Sequence, residues 1–137
     1  MSKFVHLHNH SEYSLLDGLQ KVKKMVDYAK SIGQEALAIT DHGSMYGVIK
    51  FYQACLSAGI KPIIGCEVYM AKRGHTDKEA GVDKDYIHLI ILAKNNEGYN
   101  NPLRLISISY REGYYYRPRI DIELLKKDSE GLIWLSA

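Results

Sequence analysis

Cysteine is scarce in this 137-residue chain: only Cys55 and Cys66 occur. They are too few for a disulfide framework and too far apart for CxxC chemistry, which favours a reducing cytoplasm. Long apolar runs are missing too, since no stretch approaches the roughly 18 residues that a membrane span needs. The opening Met1-Ser2-Lys3-Phe4-Val5-His6 lacks the basic, apolar and small-residue succession of an export signal. Neither sign of charge dominates. Lysine and arginine total 18 against 16 aspartates and glutamates, a net charge of +2, too small by itself to mark a nucleic-acid binder. Proline is limited to three residues, and no repeat, linker or low-complexity tract interrupts the chain.

What remains is ordinary globular material. Apolar residues make up 46% and charged residues 25% of the chain, values that suit one soluble domain with a packed core. Apolar, β-rich runs alternate with helical periodicity. Strands are expected over 4–8, 36–40, 62–70, 86–93 and 132–135, and helices over 19–32, 45–58, about 97–111 and 122–127. In the first helix Leu19, Val22, Met25, Val26, Ala29 and Ile32 share one face. Residues 71–85 are charged and irregular. Strand–helix–strand alternation with short links predicts an α/β fold with mainly parallel strands.

The histidines carry the strongest chemical signal. His6, His8 and His10 alternate in the first strand, and period-two geometry sends alternate side chains to one face. Imidazole suits zinc, manganese or iron, so His8 and His10 are candidate ligands and His6 a candidate bystander. Asp17 precedes the first helix, where it can either cap the helix or turn toward a cation. Thr40-Asp41-His42-Gly43 follows the second strand directly, where parallel α/β folds collect functional groups. There Asp41 and His42 can supply a ligand and an acid/base or orienting group. Glu67 lies inside an apolar strand and is costly unless paired or cation-bound. His88 sits early in the fourth strand, at the wrong end for the same site if that strand is parallel; sequence alone leaves it either a ligand or a core histidine. His75 reads as a surface residue. Between Arg104 and Lys127, basic residues including Arg111, Arg117 and Arg119 surround Tyr114, Tyr115 and Tyr116. That stretch is either a solvated loop or a phosphate-contacting surface with stacking rings.

These residues fall into blocks with a family pattern. The run His6-Leu7-His8-Asn9-His10-Ser11-Glu12-Tyr13-Ser14-Leu15-Leu16-Asp17-Gly18 resembles the first motif of the PHP (polymerase and histidinol phosphatase) domains. Thr40 to Gly47, Gly59 to Glu67, His88 to Asn95 with Gly98-Tyr99, and Tyr116 to Asp121 resemble the following blocks. More narrowly, the pattern is similar to PHP domains at the N-terminus of DnaE-type bacterial replicative polymerases. The resemblance implies the N-terminal part of a distorted (β/α)7 barrel. It also implies two or three divalent ions (zinc, manganese or iron) held by His8, His10, Asp17, His42, Glu67 and His88.

Asp17, Asp41 and His42 are then the candidate catalytic residues, with His6 and Asp41 as supports for the ligands. Arg111, Arg117 and Arg119 are candidate nucleic-acid contacts. The implied reaction is metal-dependent phosphoester hydrolysis, in the polymerase context 3′→5′ removal of a terminal nucleotide. DNA, a proofreading exonuclease and a sliding clamp are the implied partners, and magnesium would serve polymerase domains outside this sequence. A cysteine ligand and an Asp-x-His motif are expected beyond Ala137, so residues 1–137 are expected to be an incomplete PHP domain with weak or no nuclease activity alone. Two other readings stand beside this one: an inert module that docks a partner, and a free-standing phosphatase of the histidinol phosphatase type.

Overall fold

The computed structural model describes residues 4–137. They form two compact units, one ending at Cys66 and the other starting at Glu67.

The first unit contains α1 (Val22–Ser31), β1 (Ala36–Ile39), α2 (Val48–Ala58) and the start of β2 (Lys61–Ala71). β1 and β2 pair in parallel, with Ala36 opposite Lys61 and Ile39 opposite Ile64. Every residue of β1 is buried, as is usual for parallel strands covered on both faces. α1 lays Val22, Met25, Val26 and Ala29 into the core and packs on α2, which contributes Val48, Phe51 and Cys55. Burial pushes the Cys55 thiol up to about 11, so it remains an inert apolar filler. The helix is shorter than the periodicity predicts. Leu19 (94% exposed) and Ile32 lie outside it and do not reach the core.

The expected first strand is not a regular strand. Residues 4–10 run beside β1 with only an intermittent ladder: the Ala38 N–H donates to the His6 carbonyl (3.2 Å) and the Thr40 N–H to the Asn9 carbonyl (2.9 Å). The outer segment thus spends three residues where β1 spends two, the geometry of a bulge. Asn9 holds this offset, its amide donating to the carbonyls of His6 and Ala38 at 3.1 Å each.

The loop after it is organised by a buried carboxylate. Asp41, 2% exposed, accepts from the Ser11 N–H (2.6 Å), the Ser11 hydroxyl (2.8 Å) and the Ser14 hydroxyl (2.7 Å). Gly18 closes the loop against the Ser11 carbonyl, where a Cβ would come within 1.7 Å of that oxygen.

The second unit orders its strands β4-β5-β2-β3-β6: β4 (Tyr114–Tyr115), β5 (Arg117–Ile120), the end of β2, β3 (Tyr86–Ala93) and β6 (Leu132–Ser136). β2 and β5 are parallel, with Tyr69 opposite Arg119. β3–β6 and β4–β5 are antiparallel, so the sheet is mixed where the alternation of elements predicts parallel neighbours. α3 (Asn96–Arg111) is capped by the Asn95 side chain on the Gly98 N–H (2.8 Å). It approaches Gly131 so closely that a Cβ on Gly98 would lie 1.8 Å from the Gly131 carbonyl. α4 (Ile122–Lys127) keeps its expected bounds and is capped by Asp121.

Arg119 is 1% exposed and stands at the centre of this unit. Its guanidinium donates to the carbonyls of Gly113 (3.2 Å), Asp83 (2.7 Å), His75 (3.1 Å) and Asp77 (2.7 Å), and it stacks over Tyr115. The irregular 72–85 segment is thereby tied to β5. A second clasp is Arg73, which bonds Asp83 (2.9 and 2.6 Å) and Glu79 (2.9 Å). His75 is no surface residue: its backbone N–H and ring Nδ1 both bond Asp121, and its side chain is 15% exposed.

Arg119→Met should lower stability by about 3 kcal/mol, because four carbonyls lose a charged donor; chemical denaturation measures this. Acid should act on the same segment. The Arg73 guanidinium outweighs burial and, with the Glu79 N–H, holds Asp83 below the usual carboxylate range. Burial opposes the shift at Asp121, but the Leu124 and His75 N–H groups and the His75 ring hold it low. A carboxyl whose folded pKa is depressed contributes stability above its unfolded pKa, near 4, and loses it as pH falls further. Asp83→Asn should therefore flatten the fall in thermal midpoint below about pH 4.

Candidate metal centre

The first unit brings its imidazoles together at the C-terminal end of β1. Thr40, fully buried, accepts from the Asn9 N–H (2.9 Å) and donates to its carbonyl (3.0 Å), fixing the segment that carries His8 and His10. The two Nε2 atoms lie 3.0 Å apart. The His10 ring stacks on His42 with centroids 3.9 Å apart and planes 8° from parallel. Positioning of His42 comes from the loop, since its N–H donates to the Ser14 hydroxyl (3.1 Å), the same hydroxyl that Asp41 holds. Gly43, at φ 58°, then turns the chain in a conformation that favours glycine.

Asp17 is resolved by geometry. Its carboxylate bonds His42 Nε2, whereas the cap of α1 is Lys21, which makes no side-chain capping bond. Asp17 therefore belongs with the histidines rather than with the helix. Asp41 goes the other way. Both of its oxygens are engaged by Ser11 and Ser14, so the carboxylate expected to be either catalytic or a support for the ligands is seen holding the loop. His6 is exposed, with its ring edge-on to Phe4 at 4.8 Å and its side chain lining a separate cleft with Gln20 and Tyr28. It does not stand behind the other imidazoles.

The second unit supplies a further pair. Glu67, on β2, is 2% exposed, and its Oε1 bonds Nδ1 of His88 on β3. The Tyr69 ring meets His88 edge-on at 5.4 Å, and Tyr86 packs at the same distance. The sequence leaves His88 undecided because nothing local says which strand lies beside it. The fold sets β3 next to β2, and Glu67 and His88 meet. The tyrosines that flank His88 are not evident in the sequence beforehand. Their only signal is period two, which places Tyr69 on the Glu67 face and Tyr86 on the His88 face.

These donors fit a divalent metal. Neutral imidazoles with carboxylates are the ligand chemistry of zinc, manganese and iron sites. A buried carboxylate such as Glu67 favours a cation beside it.

The candidate nucleic-acid contacts separate. Arg119 is committed to four buried carbonyls and is unavailable to phosphate. Arg111 is exposed in the last turn of α3, and Arg117 is exposed at the start of β5.

Comparison with known proteins gives the family and the fold. Residues 6–137 match the PHP domain family. The chain is 54% identical to DNA polymerase III subunit alpha of Treponema pallidum over 135 residues and 55% identical to that of Borreliella burgdorferi over 137. The matches cover 98% and 99% of this chain but only 12% of the length of each relative. Among solved structures, an amidohydrolase from Chromobacterium violaceum matches with a TM-score of 0.52 at 23% identity, covering 74% of this chain and 32% of that one. A candidate metal-dependent phosphoesterase from Bifidobacterium adolescentis also gives 0.52, at 20% identity, covering 78% of this chain and 34% of that one. Among the described residues, no helix is long and apolar enough to cross a membrane. With its His-x-His segment, its Thr-Asp-His-Gly turn and its Glu67–His88 pair in place, the chain belongs to the PHP domain family.

Proposed function

We propose that this chain forms part of the PHP phosphoesterase domain of a bacterial replicative DNA polymerase, and that in the whole polymerase this domain hydrolyses phosphodiesters at nucleic-acid 3′ ends with divalent cations. The observation that carries the reading is the joint placement of His8, His10 and His42 with Asp17 on the His42 ring. That grouping has no evident purpose in packing, since His8 and Asp17 are exposed. His8, His10, Asp17, His42, Glu67 and His88 are the proposed ligands, for two or three ions of zinc, manganese or iron.

When bound, such ions would polarise the phosphoryl oxygens and acidify a water toward neutrality. The chain's own contribution is to fix the donors beforehand. The Asp17 carboxylate meets His42 Nε2 and sets the rotation of that ring, while the parallel stack holds His10 in register with it. Asp41 acts one step back, through Ser11 and Ser14. In the second unit, Tyr69 and Tyr86 limit the rotation of His88, and Glu67 aligns its Nδ1. In the whole polymerase the proposed partners are DNA, a proofreading exonuclease and a sliding clamp, with magnesium serving the synthetic domains.

Titration of the chain with Mn²⁺ or Zn²⁺, followed by thermal shift, tests the ligand assignment. The midpoint should rise on adding metal. Asp17→Asn and Glu67→Gln should each weaken the apparent affinity at least about tenfold. A parent protein whose midpoint ignores both metals would overturn the assignment. In a polymerase carrying this domain, Asp17→Asn should abolish nucleotide release from a mismatched 3′ end. Unchanged release would remove the nuclease reading and leave a domain that binds metal for stability alone.

A further inference from the structure

The second unit carries a cleft of ≈ 830 Å³ lined by Lys72, Lys84, Asp85, Tyr86, Tyr116 and Arg117. Three cations face one carboxylate there. Lys72 reaches Asp85 at 3.2 Å, but both side chains are more than half exposed, so the pair opens readily to a competing anion. Arg117 is held differently. It lies over the Tyr69 ring at 5.8 Å, and its bond to Tyr86 raises its pKa still further, which keeps a planar, permanently charged group in the lining of the cleft.

The rings complete the pattern. Tyr116 is 68% exposed and is the single residue linking β4 to β5, with φ at 60°. A bulky residue rarely adopts that conformation, and glycine would adopt it without strain. The Tyr116 ring rests edge-on against Tyr115, centroids 4.7 Å apart, and leaves most of its surface open to solvent. Tyr86, also in the lining, packs against both Tyr69 (4.9 Å) and His88 (5.4 Å). Tyr86 thus belongs to the lining of the cleft and, through His88, touches the Glu67–His88 pair.

Cations spaced along a groove with exposed aromatic rings among them are the recognition chemistry of a single-stranded nucleic acid: the phosphates meet the cations and a base stacks on a ring. The geometry points to this cleft as the track for a single strand whose end is presented to the Glu67–His88 pair, with Lys72, Lys84 and Arg117 on phosphates and Tyr116 under a base. The direction of the strand rests on the phosphoesterase reading above; the binding itself does not.

Fluorescence anisotropy with a labelled oligothymidylate, in chelator so that no metal contributes, tests the track directly. Lys84→Glu should weaken binding about tenfold and flatten the salt dependence by roughly 0.7 in log–log slope. Lys127→Glu, an equal change of charge at an exposed site on α4, should leave both nearly unchanged. Tyr116→Gly should weaken binding about tenfold with little change in the thermal midpoint, because glycine relieves the backbone and so offsets the lost contact with Tyr115, while the stacking surface is gone. Parental affinity in Lys84→Glu, an equal loss in Lys127→Glu, or tighter binding of duplex than of single strand would each overturn the proposal. Oligothymidylate binding that survives while metal fails to shift the midpoint would separate this track from the phosphoesterase reading and sink only the latter.

Discussion

The carboxylate of Asp41 is the constraint on which the first unit's site depends. It is buried beside β1, where an unpaired charge would be costly, and it is satisfied by one backbone N–H and two serine hydroxyls from the following loop. Those bonds define where the 11–18 loop can lie, and hence where Asp17 meets His42. The Ser14 hydroxyl serves twice, donating to Asp41 and accepting from the His42 N–H. A charge placed for folding thus sets the geometry of the residues placed for chemistry.

The second unit uses the inverse device. Arg119 is a buried cation surrounded by carbonyl oxygens of otherwise irregular backbone. Its planar fork of donors collects the carbonyls of His75, Asp77 and Asp83, which no strand or helix satisfies, together with that of Gly113. The 72–85 segment, which has no regular structure to hold it, is fixed by that residue, by the Arg73–Asp83 clasp and by the bonds of His75 to Asp121. The same segment supplies Lys72, Lys84 and Asp85 to the basic cleft. Interior arginine and exposed cations are therefore two parts of one arrangement: the first makes the loop rigid enough for the second to be positioned.

Much of this is legible in the sequence, and the unread parts have physical reasons. His8, His10 and His42 stand out because their spacing and their place after a β run are local properties. The helix and strand bounds of α4, β3 and β1 follow from short-range periodicity and capping. Asp17 is ambiguous because a carboxylate before a helix satisfies the capping rule whether or not it caps; only the distant His42 decides. Arg119 and His75 are misplaced for a related reason. Charged residues in a polar stretch read as solvated, and burial becomes visible only when the carbonyls or the Asp121 carboxylate that satisfy them arrive from far along the chain. The antiparallel β3–β6 pairing is likewise a tertiary choice that alternation of elements does not encode.

The central claim is that imidazoles and carboxylates assembled for metal binding define this domain. X-ray absorption at the zinc edge of the zinc-loaded chain addresses it most directly, because the spectrum reads the donor atoms themselves. The account predicts nitrogen and oxygen neighbours at about 2.0–2.1 Å with the multiple-scattering signature of several imidazoles. A first shell of sulfur at about 2.3 Å, or one of oxygen alone without imidazole scattering, would contradict it.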